Sequence, residues 1–158
     1  MLSDSQRYRL KYQHQTIAEL VNPFTEVQLR YPVNPGKWSV FENLAHLVTY
    51  QLVFLERIAR IQQEQQPQFG RYVADNDPAF APTVEQSLPT LLGRLVHDRE
   101  QIIQILENMG AKDMVRTGIH PKYGNMDIPQ WTEFFLLHES HHLFTIFMLM
   151  AELRTMQR

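Results

Sequence analysis

No cysteine occurs among the 158 residues. That single absence removes a disulfide scaffold, thiolate metal ligands and a cysteine nucleophile together, so any thiol chemistry must arrive with a substrate. Long apolar runs are missing as well. The longest, Leu143 to Ala151, is interrupted by Thr145 and falls well short of the ~20 residues of a membrane span. The opening segment MLSDSQRYRLKYQHQ is polar and charged, without the apolar centre of a secretory signal. The expectation is a cytoplasmic protein without membrane contact. An excess of either charge is also lacking: 15 Lys and Arg stand against 17 Asp and Glu, for a net charge of -2. No dense basic block is available to grip a phosphate backbone, so nucleic acid is not an expected partner.

What is present is the balance of a folded domain. Hydrophobic residues make up 44% and charged residues 20%, enough for one core in a single domain over 1–158. Four segments carry helical periodicity and none carries strand alternation. The first runs from about Ser3 to Val21, with Leu10, Ile17, Ala18 and Val21 on one stripe. Asn22-Pro23 then predicts a stop and a capped restart to about Arg30. Tyr31 to Lys37 (YPVNPGK) is a loop. Ser39 and Glu42 form an S-x-x-E capping box that opens a second helix reaching about Gln65. Gln66 to Gln86 is a long connection, of the kind that covers a site or crosses a domain. A third helix starts between Thr83 and Ser87 and ends at Met109-Gly110, where glycine is expected as a left-handed C-cap. Asp127-Ile128-Pro129-Gln130 opens the fourth, which continues to about Arg154. The fold class predicted is all-α, a four-helix bundle with long connections. The first and middle connections are both long enough to cross it.

Chemistry concentrates in the seven histidines. His97 falls on a polar helix face and is expected to be solvated. His14 lies on the stripe of the first helix with Leu10 and Ile17, as a core histidine or a pocket wall would, and His120 sits in a loop. His46 lies opposite the stripe Phe41, Leu44, Ala45, Val48, Leu52, Leu55, on a face shared with Glu42, Asn43, Tyr50 and Arg57. That face is either plain surface or the polar wall of a cleft. In HESHH, His138 and His142 stand at i, i+4, one turn apart on one side of a helix, where two imidazoles can grip one ion. The helix is apolar almost all round, so unpartnered imidazoles there would be costly to bury, and a shared metal would satisfy them. His141 could instead pair with His138 at i, i+3; we favour His142 and place His141 in a supporting role or at the cleft mouth. HESHH also fits the H-E-x-x-H expression of zinc proteases, with Glu139 as general base. No further histidine motif and no sheet accompany it, so Glu139 is expected to be solvated or to support the site from behind. Arg99 falls in the apolar stripe of the third helix. An arginine there implies a buried ion pair, with Glu42 as the expected partner, or an anchor for an anionic substrate group. Trp38 and Trp131 are expected in packing.

Two longer stretches resemble a known family. PGKWSVFENLAHL resembles the second-helix signature of the DinB/YfiT-like superfamily, and HPKYGNMDIPQWTEFFLLHESHHLFTI resembles its fourth-helix signature, a His-Pro-x-x-Gly loop followed by H-x-x-x-H. The resemblance implies a four-helix bundle with one divalent metal ion, zinc or nickel, held by His46, His138 and His142. Thr145 stands where the family often has Gln, a departure that bears on a supporting contact rather than on the ligands. Three protein ligands leave an open position, the mark of a catalytic rather than a structural site. The superfamily includes transferases acting with low-molecular-weight thiols, so the resemblance implies a metal-dependent thiol S-transferase or a hydrolase acting on a small molecule. Tyr50, Glu42 and Arg99 are its candidate catalytic or substrate-facing residues. The alternative is a metal-binding or helical interaction domain without turnover, since the aromatic-rich fourth helix is equally suited to a homodimer interface.

Overall fold

A computed structural model of the chain describes residues 1–156. The first predicted helix is divided. Ser3 and Gln6 form a capping box that opens α1 (Asp4–Tyr12); a 3-10 turn at Gln13–Gln15 follows, then α2 (Thr16–Val21). The tighter turn presents Gln13 and His14 to the bundle interior: the Gln13 side-chain amide donates to the Leu136 carbonyl (3.0 Å) and to Glu139 (2.8 Å). The restart falls three residues later than Asn22-Pro23 predicts. Thr25 and Gln28 cap each other's ends and open α3 (Glu26–Arg30).

The Ser39–Glu42 box opens α4 (Val40–Gln63) as expected. Its buried face differs from the predicted stripe in the second half, where Leu52 is exposed and Phe54, Arg57, Ile58 and Ile61 turn inward. The long connection holds structure of its own: a 3-10 turn at Ala74–Asn76 and α5 (Phe80–Val84), whose Phe80 packs in the core. Ser87 caps α6 (Leu88–Glu107). Gly110 does not end this helix in a left-handed conformation. Its φ is -76°, and it caps the short α7 (Ala111–Met114), accepting the help of Asp113, whose carboxylate takes the Gly110 N–H at 3.0 Å.

One hairpin departs from the all-helical expectation. β1 (Thr117–His120) pairs antiparallel with β2 (Gly124–Asp127), in the register Gly118 to Met126 and His120 to Gly124. Strands this short leave too few residues for an alternation signal. Gly124 (φ +73°) supplies the left-handed residue that closes the Pro121–Tyr123 loop. The other edge of β1 takes up the long connection, through Ile119 N–H to the Pro67 carbonyl (2.8 Å) and Phe69 N–H to the Ile119 carbonyl (3.1 Å). Asp127 and Gln130 then exchange backbone-to-side-chain bonds of 2.9 Å and open α8 (Ile128–Met156).

The helices form a four-helix bundle in which α4 packs against α6 and α8, and α1 packs against the same two. Helices α1 and α4 are thus diagonal, as are α6 and α8. The connections that cross the bundle are therefore the first and the third. The middle one joins neighbours and instead lies over the histidines. α8 is long and apolar enough by length and composition to cross a membrane. Here Trp131, Phe135, Leu136, Ile146 and Leu153 are buried in the core, while Leu137, Phe144, Phe147 and Met148 stay exposed.

Candidate metal centre

α4 and α8 are neighbours, and their contact brings His46 to His138 and His142. One ligand nitrogen from each lies within 4.8 Å of the others. His46 Nε2 is 3.0 Å from His138 Nε2. Two nitrogens bound at ~2.05 Å to one tetrahedral ion stand about 3.3 Å apart, so the pair is close to the spacing an ion imposes. No other group of three or more His, Asp or Glu residues among those described has comparable convergence.

Burial sets the protonation of all three. It pulls the pKa of His46 to about 4, of His142 to about 3 and of His138 to about 2, with the neighbouring imidazoles adding to the effect for the last two. Neutral imidazole is the form that ligates a metal. For His142 the tautomer is also fixed. The Asn43 amide nitrogen donates to the Ser39 carbonyl (2.8 Å), which turns Asn43 Oδ1 toward His142 Nδ1, 2.8 Å away. A proton held on Nδ1 leaves the Nε2 lone pair free, the second-ring-nitrogen arrangement common behind metal-binding histidines. The Nδ1 atoms of His46 and His138 are buried and have no hydrogen-bond partner. The donor set, its neutrality and its convergence fit a divalent ion that accepts imidazole, as zinc and nickel do.

Two of the walls come from residues that the sequence places elsewhere or gives no signal for. Trp38, expected only in packing, stacks near His142 (6.2 Å between centroids) and His46 (5.1 Å). Tyr72, from the long connection, lies 5.8 Å from His46. The signal for Trp38 was its place directly before the Ser39 cap; Tyr72 carried none. Tyr50 is buried against His138, with ring centroids 4.0 Å apart. Arg57 Nη1 donates to the Tyr50 hydroxyl oxygen (3.1 Å). His138 and Tyr50 both border a cavity of about 360 Å³.

Two other candidates are corrected. Glu42 is occupied by the Ser39 cap, accepting its N–H at 2.7 Å, and does not meet Arg99. Arg99 is fully buried and pairs instead with Glu139, itself 2% exposed. Its remaining donors go to Gln51 (2.8 Å) and the Leu10 carbonyl (3.2 Å). A guanidinium so paired and fully buried is structural and out of reach of a substrate. Glu139 is neither solvated nor a free base; it lies behind the histidines, locked to Arg99 across the bundle diagonal. His141 is exposed beside His142, His97 is exposed, and His14 is a core histidine next to Arg99.

No curated protein sequence matches the chain. Among solved structures, YfiT from Bacillus subtilis is described as a probable metal-dependent hydrolase with an unusual four-helix bundle topology. It superposes with a TM-score of 0.80 at 18% identity, covering 92% of this chain and 84% of that one. TT2238, described as a four-helix bundle protein, superposes with a TM-score of 0.67 at 17% identity, covering 90% and 96%. At such identities the likeness is one of fold. The sequence profile of the DinB superfamily matches residues 9–146, nearly the whole bundle with both histidine-bearing helices, and the chain belongs to that superfamily.

Proposed function

We propose that this chain is a metal-dependent enzyme, with His46, His138 and His142 holding one divalent ion, zinc or nickel, and a small molecule as substrate. The observation that carries the reading is the convergence of three neutral imidazoles beside a cavity, with no fourth protein ligand among the described residues. A three-ligand set with an open side is the pattern of catalytic rather than structural sites. When bound, the ion supplies Lewis acidity at that side, toward water in a hydrolysis or toward a thiol brought by a co-substrate. Hydrolysis is the reading we favour, supported by the likeness in fold to YfiT and its description as a probable metal-dependent hydrolase. Thiol S-transfer uses the same open side and agrees with a chain that has no thiol of its own.

The protein's own residues divide the remaining work. Asn43 holds His142 in the ligating tautomer. Trp38 and Tyr72 shield the histidines from bulk water. Tyr50 has its pKa raised by burial, so it stays a neutral phenol. Its oxygen already accepts from Arg57, which leaves the hydroxyl proton available to donate into the cavity.

The test is elemental analysis of untagged protein purified without added metal, beside His46→Ala and His142→Ala. About one ion per chain, lost in both variants, is the expected result. Metal retained at full stoichiometry in either variant overturns the ligand set. Metal-loaded protein is then assayed against ester, amide and thiol–electrophile substrates. Inactivity throughout would mark a metal-binding or interaction domain instead.

A further inference from the structure

Among the described residues two arginines are buried, Arg57 and Arg99, and they are treated differently. Arg99 has a carboxylate, an amide and a carbonyl for its donors. Arg57, 5% exposed, has no carboxylate within salt-bridge distance among the described residues. A single hydroxyl, Tyr50, takes one of its five N–H groups at 3.1 Å. The rest of its surroundings are aromatic: its guanidinium carbon lies 5.3 Å from the Trp131 ring centroid, 5.6 Å from Phe69 and 5.8 Å from Tyr50. Cation–π contacts ease burial of the charge, but they satisfy none of its in-plane donors. A buried, uncancelled cation is expensive to retain for packing alone.

Arg57 borders the 360 Å³ cavity that His138 and Tyr50 also border. Arg71, Lys122 and His120 line it too, and no Asp or Glu does. Neither Arg71 nor Lys122 has a salt-bridge partner among the described residues; both are exposed. His120 Nδ1 accepts the backbone N–H groups of Lys122 and Tyr123 (3.1 Å each), which leaves its proton on Nε2 as a further donor. Burial first, and then the charges of Arg57 and Lys122, hold the His120 pKa below its ordinary value. An adjoining depression shares Arg57, Arg71 and Tyr72 and does contain acids. Of these, Asp77 takes the Tyr72 hydroxyl (2.9 Å) and the Ala79 N–H (2.8 Å), and Glu56 is exposed, 3.9 Å from Arg60.

The geometry points to a recognition subsite for an anionic oxygen group, a carboxylate or a phosphate, on the small-molecule substrate. Arg57 sits at its base, with Arg71 and Lys122 at its rim. The subsite deepens the metal-enzyme reading, on which it rests for the reaction: the anion is held in the cavity while the reacting atom of the same molecule lies at the histidines. An arginine fork suits both groups, because either presents two oxygens to parallel N–H donors. The cavity falls in the size range of small-ligand sites.

The experiment uses full-length protein stripped of metal on a chelating resin, titrated by calorimetry with succinate, with inorganic phosphate and with neutral succinamide. Saturable binding of succinate or phosphate, with none of succinamide, is expected, and the tighter anion identifies the group. Arg57→Gln should weaken that binding at least tenfold. Arg71→Gln and Lys122→Gln should each weaken it several-fold; because both side chains are exposed, these variants carry the test even if Arg57→Gln fails to fold. No saturable anion binding, or binding indifferent to Arg71→Gln and Lys122→Gln, overturns the proposal. Metal content is read separately on the same proteins. Absence of metal uptake would strike the metal reading alone, because the anion titration is made without metal.

Discussion

The Arg99–Glu139 pair offers the sharpest test of how this bundle is built. Glu139→Gln keeps the side chain's shape and removes only its charge. In the fold it leaves a guanidinium that is 0% exposed facing a neutral amide, with Gln51 and the Leu10 carbonyl as its other partners. It also disturbs Gln13, which donates to the same carboxylate at 2.8 Å. Removing one member of a buried pair costs roughly 3–5 kcal/mol, because the other charge is left uncompensated in low dielectric. For a domain of this length a kcal/mol moves Tm by about 2–4 °C, so Glu139→Gln should melt roughly 6–20 °C below wild type. Thermal unfolding followed by circular dichroism reads this directly. The double variant Arg99→Met/Glu139→Leu, which removes both charges, should recover most of the loss. A single variant within about 1 kcal/mol of wild type would refute the reasoning, since Arg99 would then have to find water or another anion in solution. The same variant separates the structural role from that of a protease-like general base. A base lost by Glu139→Gln would abolish turnover and leave Tm unchanged.

Three further outcomes are expected. Asn43→Ala removes the acceptor that holds His142 Nδ1 and should weaken metal affinity about 10–100-fold; competition with a chromophoric chelator measures it, and unchanged affinity would show that the tautomer is set otherwise. His14 has its pKa lowered from 6.5 to about 4 by burial and then by Arg99. The unfolded chain therefore takes up this proton first, and stability is full above pH 6.5 and falls as pH drops toward 4, by at most about 3 kcal/mol. Urea unfolding at pH 7 and near pH 4.5 should show a smaller loss in His14→Gln than in wild type, and equal losses would remove His14 from the account. At Gly118 an added Cβ would meet the Phe69 ring at 2.7 Å and Ile61 Cγ1 at 2.9 Å. Both neighbours are buried, so Gly118→Ala should cost about 1–3 kcal/mol, a loss that equilibrium unfolding would show or deny.

Much of the architecture was legible in the residue order because local signals were strong. The Ser39–Glu42 box, the Ser87 cap and the Asp127–Gln130 opening each satisfy orphan backbone donors within four residues, and that chemistry depends little on the rest of the fold. The same holds for the i, i+4 placement of His138 and His142 on one helix face. The hairpin escaped because its strands have four residues each and are stabilised by pairing, on one edge with each other and on the other with residues 67–69. Gly110 departs from the C-cap expectation because a glycine after a helix suits either a C-cap or the N-cap of the next turn, and Asp113 decides for the latter.

What the sequence determined on its own is the set of local instructions: where the capped helices start, that no thiol is available, and that two histidines share one side of a helix. What only the tertiary structure decided is which side chains from distant segments face one another. Arg99 found Glu139 rather than Glu42 because α6 and α8 are diagonal and their inward faces meet in the core. His46 reached the other two histidines because α4 lies beside α8. Arg57 was left without a counter-charge because the hairpin and the long connection closed over it with aromatic rings and further cations. Local propensity acts over three or four residues, whereas pairing across the bundle depends on helix order and crossing connections, and those follow from packing the whole core at once.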